Sequence, residues 1–335
     1  MAKYTSIGGQ ALIEGIMMKS PEKTAMAVRM PNGEIDVTKS KTKSIKQKYK
    51  ILGIPIVRGV VGFIESMTEG YKAMMTSAEK SGFTDLEEDD KEQTEKDKKK
   101  ANIFISIAMV IGSVLGVALA VALFMFLPWV CVKGIEKLFE ITLSNIAKSA
   151  IEQFIKLSVF VLYMFAISFM KDIKRVFMYH GAEHKTIFCY EKGLELTVEN
   201  VRLQSRFHPR CGTSFMILMI LISIVFSTIA QILLDGVYDN ALFWILIKIA
   251  LIPVICGVGY EVLKFCGRYD NIITKIISAP GLWMQRISTK EPDDDMIEIA
   301  IAALRACEPE TPDVNRDIDK KELEETEKGT ENDNI

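Results

Sequence analysis

The amino-acid sequence predicts a predominantly α, polytopic membrane protein, with four transmembrane helices and a small α+β cytoplasmic unit that contains a β-hairpin. Three observations carry this prediction. The 335 residues are 49% hydrophobic and 25% charged, and their mean hydropathy is positive at +0.19, because charge crowds the two ends while apolar runs fill the middle. Four of those runs approach or exceed the roughly 18 residues that a bilayer-crossing helix needs. A turn signal, Pro31-Asn32-Gly33, separates two alternating segments near the N-terminus. A wholly soluble protein is excluded. The 41 basic and 43 acidic residues average opposite blocks and point to no partner by themselves.

Residues 1–85 read as the cytoplasmic α+β unit. Ala25 to Met30 and Glu34 to Thr38 are the strands of the hairpin. Before them, Gly8-Gly9-Gln10-Ala11-Leu12-Ile13-Glu14-Gly15 brackets two polar side chains with glycines, a pattern of tight turns or close backbone approach. Gln10 and Glu14 are therefore possible site residues, Glu14 as ligand or acid/base. Lys39 to Lys50 holds six lysines in twelve residues; beside a membrane they suit anionic lipid headgroups, and they could also meet RNA phosphate. The apolar stretch Ile51 to Ile64 follows, and Pro55 is placed to open a helix toward Ala78.

Residues 86–100 are a charged linker. Residues 101–170 hold the first two spans, Ile103 to Val130 and Phe154 to Met170, and 214–263 hold the other two, Phe215 to Leu234 and Ala241 to Leu263. Gly112 and Gly116 in the first span have the small-xxx-small spacing that can seat a neighbouring helix. Asp235 to Asn240 is a hairpin turn. Lys248 lies inside the fourth span and reads as a snorkelling lysine rather than a functional charge, and Pro253, Gly257 and Gly259 suggest a kink. In 264–307, Pro292-Asp293-Asp294-Asp295 should cap a short amphipathic helix, Met296 to Cys307. Residues 308–335, with eleven acids and four bases, read as a disordered tail.

Lysine and arginine counts set the orientation. Five lysines precede the first span, eight basic residues lie in 171–213, and five follow the fourth span, against three between spans one and two. Both termini and the 171–213 loop are expected on the cytoplasmic side of the membrane. The first ten residues show no export signal. The six scattered cysteines do not form a disulfide framework.

The chemistry concentrates in 171–213, a cytoplasmic loop that holds all three histidines. Tyr179-His180-Gly181-Ala182-Glu183-His184 fits H-x-x-E-H. On a helix, His180 and His184 would share one face and hold one metal ion, and Glu183 beside them would be the general base. His208 or Cys211, from Phe207-His208-Pro209-Arg210-Cys211-Gly212, would complete the set. This points to a divalent transition metal, zinc first. All three histidines with the cysteine would close a tetrahedron and leave no seat for water; Glu191, Glu195 or Glu261 could instead be the further ligand. Gly181 is unhelpful to a helix. Arg202, Arg206 and Arg210, spaced four apart, could share a helix face and grip phosphate or carboxylate.

The motifs Gly8 to Met18, Tyr179 to Thr186, His208-Pro209-Arg210-Cys211-Gly212-Thr213-Ser214-Phe215, Gly259-Tyr260-Glu261 and Glu291-Pro292-Asp293-Asp294 resemble the bacterial YqhQ-like membrane proteins, over about residues 3–306. That resemblance implies a domain of unknown function or a metal-dependent enzyme, and it points to His180, Glu183, His184, His208 and Cys211. Two functions are compatible with the sequence. One is a metal-dependent hydrolase at the cytoplasmic membrane face, acting on a peptide or lipid-linked substrate. The other is a non-enzymatic membrane factor, partnered with the machinery of membrane-protein biogenesis, in which the His/Cys cluster is structural. A transporter has little polar material to work with.

Overall fold

The computed structural model describes residues 7–42, 45, 49–83, 111–112, 114–234, 241–269 and 271–308. The expected linker, the 235–240 turn, the first span before residue 111 and the tail beyond residue 308 lie outside them.

The N-terminal strands are β1 (Gly8–Leu12), β2 (Gly15–Lys19), β3 (Lys23–Arg29) and β4 (Ile35–Lys41). They form an antiparallel meander in the order β1-β2-β3-β4. The expected hairpin is β3–β4, with Gly33 at φ 85 in its turn. The glycine-bracketed segment before it is a second hairpin, β1–β2, which turns at Ile13-Glu14. Glu14 there adopts φ 50, a conformation that normally falls to Gly or Asn. The unit is therefore a four-stranded sheet rather than a lone hairpin.

Strand alternation gives the sheet two buried faces. Ile16, Met18, Ala25 and Ala27 face one core, and Leu12, Met17, Met26 and Val28 face the other. The second core is closed by Ala73 of helix α1 (Val57–Lys80). The first is closed by α4 (Lys171–Glu191) and α9 (Asp294–Cys307), through residues such as Tyr179, Ile297 and Leu304.

Among the described residues, four helices are long and apolar enough to cross a membrane. They are α2 (Val114–Leu138), α3 (Asn145–Ile167), α6 (Gly212–Leu234) and the Leu246–Arg268 portion of α7 (Ala241–Arg268). Within α2 one π-turn, Ala122–Phe126, lies just before Pro128, a residue with no N–H to return to the preceding turn. The second span begins earlier than expected, where Ser144 caps α3 by accepting from the Ala147 N–H at 3.3 Å. Its polar first turns are tolerated because their charges are paired. Lys148 meets Glu136 of α2 at 2.9 Å, and Glu152 meets Lys248 of α7 at 3.1 Å. Lys248 is thus paired to a neighbouring helix rather than snorkelling alone.

Two elements complete the fold. Helix α5 (Val198–Arg202) is short, with Thr197 as its cap, and α8 (Ile272–Ser288) opens on an Asn271/Thr274 capping box. Phe160, Met164, Phe177, Ile217 and Met284 form one cluster joining α3, α4, α6 and α8. The 171–213 stretch is thus largely helical. Asp293 occupies the N-cap position of α9 but makes no side-chain cap bond.

Candidate metal centre

Helix α4 carries His180, Glu183 and His184 on the turns that the sheet and α9 bury. Glycine at 181 has a packing reason. A Cβ there would strike the Lys290 carbonyl, because the chain leaving α8 crosses α4 at this point. The Lys290 N–H donates to the Phe177 carbonyl at 2.8 Å, so the crossing is fixed by backbone.

The same crossing orients the first imidazole. His180 Nδ1 lies 2.8 Å from the Ser288 carbonyl, and His184 Nδ1 lies 2.6 Å from the Arg206 carbonyl. A carbonyl can only accept, so each Nδ1 carries its proton and each Nε2 is left as the free donor atom. Metal-binding histidines are commonly held in this way. His180 Nε2 is 3.1 Å from Cys211 Sγ. The ligand atoms of His180, His184 and Cys211 all lie within 4.8 Å of one another.

Without an ion, this is a buried thiol facing two imidazoles. Burial opposes charge on His180, but Cys211, Glu183 and the Ser288 carbonyl together outweigh it and its pKa rises to about 9. Burial likewise pushes the Cys211 thiol up, yet His180 and His184 bring it well below the ordinary thiol range. Glu183 moves the other way: burial raises its pKa, only partly offset by His180 and His184. Its Oε2 is buried without a hydrogen-bond partner. Gly9 of β1 packs directly on this carboxyl, where a Cβ would stand 2.8 Å from it.

His208 stands beside the trio and outside it. Its Nδ1 accepts from the Arg210 N–H at 3.3 Å, its Nε2 lies 3.6 Å from Glu191, and its ring packs against His184 and Phe188. Burial lowers its pKa and keeps it neutral. Of the two candidates for the third ligand, Cys211 is the one placed at the histidines.

Arg202, Arg206 and Arg210 do not share a helix face, since α5 ends at Arg202 and Pro209 disfavours helix at the residue before it. Each guanidinium meets a carboxylate of the chain itself. Arg202 pairs with Asp294, Arg206 with Glu291 at 3.2 Å, and Arg210 with Glu191. Glu291 also holds the buried Lys185 at 2.8 Å.

The remaining candidates lie elsewhere. Glu14 takes Arg175 in two bonds of 2.5 and 2.6 Å and accepts from the Tyr179 hydroxyl at 3.1 Å. Gln10 donates to the Gly70 carbonyl at 3.4 Å, and Glu261 is held by Arg58. All three are structural ties in this arrangement.

One residue at the site carried no sequence signal. Gln285 of α8 is fully buried. Its Oε1 accepts the His208 N–H at 2.7 Å, and its Nε2 donates to the His208 carbonyl at 2.7 Å and to Ser214 at 2.8 Å. It staples the turn that delivers Cys211. A lone amide in an apolar helix belongs to no motif.

Residues 54–310 match a family described as "Protein of unknown function (DUF1385)". The chain is also 36% identical over 295 residues to "Uncharacterized protein YqhQ" of Bacillus subtilis (strain 168), covering 88% of this chain and 89% of that one. No solved structure matches. On both counts the chain belongs to the YqhQ-like DUF1385 family, whose function is not established.

Proposed function

We propose that this protein is a metal-dependent hydrolase at the cytoplasmic face of a bacterial membrane. His180, His184 and Cys211 would hold a divalent transition metal, zinc by the chemistry of two imidazoles and a thiolate. The observation that carries the reading is Glu183, a buried carboxylate with an unpartnered oxygen beside three donor atoms that lie within 4.8 Å of one another. Three protein ligands leave one tetrahedral position open, as in catalytic sites. The ion would supply Lewis acidity there.

The chain's own residues do the rest. Glu183, whose pKa burial raises above the ordinary carboxylate value, is suited to accept a proton from water and return it to a leaving group. The carbonyls of Ser288 and Arg206 keep the imidazoles from turning. Gly9 and β1 exclude bulk water from the carboxylate. Lysine and arginine counts support a cytoplasmic position for both termini and α4, where a peptide or lipid-linked substrate would be met.

The test is elemental analysis of protein purified in detergent without chelators. Stoichiometric metal that is lost in His180→Ala/His184→Ala and in Cys211→Ser is expected. Glu183→Gln should keep the metal and lose hydrolysis in screens against membrane lipid and peptide substrates. Protein that folds and carries no metal would end the reading.

A second reading is favoured by burial, since Glu183, His184 and Cys211 are each no more than 5% exposed. In it the metal knits β1, α4 and the 206–211 turn together in a non-enzymatic factor of membrane-protein biogenesis. Lys39 to Lys50 would then meet anionic headgroups or RNA phosphate, and Glu183→Gln would be silent.

A further inference from the structure

The stretch Ile51 to Ile64 contains a single charge, Arg58. It is too short to span a bilayer; apolar runs of about this length are buried core, interfacial or re-entrant. The structure rules out the first, because Ile54, Ile56 and Ile64 are 50%, 42% and 59% exposed, and Met67 one turn on is 56% exposed.

Its position relative to the spans is fixed by three contacts. The backbone of Ile56 lies against Gly257, where a Cβ would stand 2.7 Å from the Ile56 carbonyl oxygen. Gly257 is midway along the Leu246–Arg268 span. Gly59 packs on Tyr260 of the same helix. Phe63 packs at a tilt against Phe215 of α6, with ring centroids 5.9 Å apart. The exposed isoleucines therefore continue the apolar surface of the spans.

The stretch enters and leaves on the same side. The Ile45 N–H donates to the Glu65 carboxylate at 2.5 Å, closing a neck across its base. Beyond the neck the Thr42 N–H donates to the Glu22 carbonyl at 2.9 Å, and α1 runs on to the sheet, where Ser77 bonds the Ile13 carbonyl. Both flanks thus return to the N-terminal unit.

Hydrocarbon demands that backbone and charge be satisfied internally. The Leu52 N–H donates to the Tyr49 carbonyl at 3.0 Å, the Arg58 N–H to Ile54 at 2.9 Å and the Gly59 N–H to Ile56 at 3.0 Å. Arg58 is neutralised by Glu261 in a two-pronged bond of 2.6 and 2.5 Å. Ile56 sits at φ 71, a conformation that a β-branched residue keeps only where its surroundings enforce it. Gly257 supplies that enforcement.

We infer that residues 51–64 dip into the bilayer as a re-entrant segment seated on α7, with Ile54, Ile56 and Ile64 against lipid acyl chains and Arg58–Glu261 as an intramembrane ion pair. The protein then has a fifth membrane-embedded element, and it adjoins the helix that begins one residue after Cys211.

Full-length protein in phosphatidylethanolamine/phosphatidylglycerol vesicles, photolabelled from a phospholipid with a diazirine on its acyl chain and mapped by peptide mass spectrometry, tests this. Adducts within 54–64 as abundant as those within Val114–Leu138 are expected. Adducts in the spans with none in 54–64 would overturn the inference, whether water or a protein partner covers the stretch. Gly257→Val removes the seat and should deplete adducts in 54–64 while the spans stay labelled. Unchanged labelling in that variant would overturn the seating on α7.

Discussion

Helices α4 and α2 invert the usual relation between polarity and burial. Helix α4 carries three basic residues in its first two turns and a histidine pair, yet twelve of its 21 residues are buried. Helix α2 is apolar nearly throughout, yet only 6% of its span window is buried inside the protein. The difference is the solvent. Apolar side chains on α2 are satisfied by lipid and need no protein cover, so they leave the helix lightly packed. Polar side chains on α4 are enclosed and must find partners, which all but the Glu183 Oε2 named above do in groups such as Ser288, Arg206, Glu14 and Glu291. Hydropathy thus reports which medium a helix meets. A polar helix that is buried nonetheless marks the place where the fold itself must supply polar partners.

The same substitution should have opposite consequences in the two helices. Gly181→Ala drives a methyl into the Lys290 carbonyl, a backbone atom that is itself bonded to the turn orienting His180. Overpacking of this kind costs about 3 kcal/mol, well above the ~1 kcal/mol that alanine gains over glycine in a helix. The expected result is a markedly lower melting temperature in detergent together with weaker retention of the proposed metal. Wild-type stability in Gly181→Ala would show that the crossing is loose and remove the packing account of α4.

How legible was this from the sequence? The spans were read because an apolar run needs no knowledge of its neighbours, and the β3–β4 hairpin because Pro31-Asn32-Gly33 acts locally. The start of α3 is hidden in the sequence, since Lys148 and Glu152 look unfit for a span until Glu136 and Lys248 are seen opposite them. Glycines 9 and 181 stand out in the sequence, but their reason lies in Glu183 and Lys290, far away in the chain. The histidine pair followed from helical spacing. Choosing Cys211 over His208, and finding the arginines already matched to Glu191, Glu291 and Asp294, required the tertiary structure. Gln285 left no local trace at all.

A smaller effect tests whether the charges around α4 act as structural ties. Glu14→Gln removes the carboxylate that holds Arg175 and Tyr179. The pair is partly exposed, so the loss should be about 1 kcal/mol and should not release metal. The bonds from Arg175 hold the Glu14 pKa below its ordinary value against the opposing effect of burial. Its contribution is therefore complete above the unfolded carboxylate value and vanishes as pH falls through the folded one. Thermal unfolding of wild type and variant should converge in acid. A gap that persists there, or metal loss at neutral pH, would place Glu14 in the site after all.

The smallest change is expected from Gly116→Ala in α2, where a Cβ would meet nothing within 4 Å. With no clash to offset it, the helix preference of alanine alone predicts a gain of up to about 1 kcal/mol. The measurement is thermal unfolding beside Gly181→Ala, with oligomeric state followed by light scattering. A gain, or no change, keeps α2 as a lipid-facing helix whose small residues are incidental. A loss accompanied by a smaller particle would mean that Gly116 seats a helix from a second copy, and α2 would then be buried by the assembly in the way α4 is buried by its own chain.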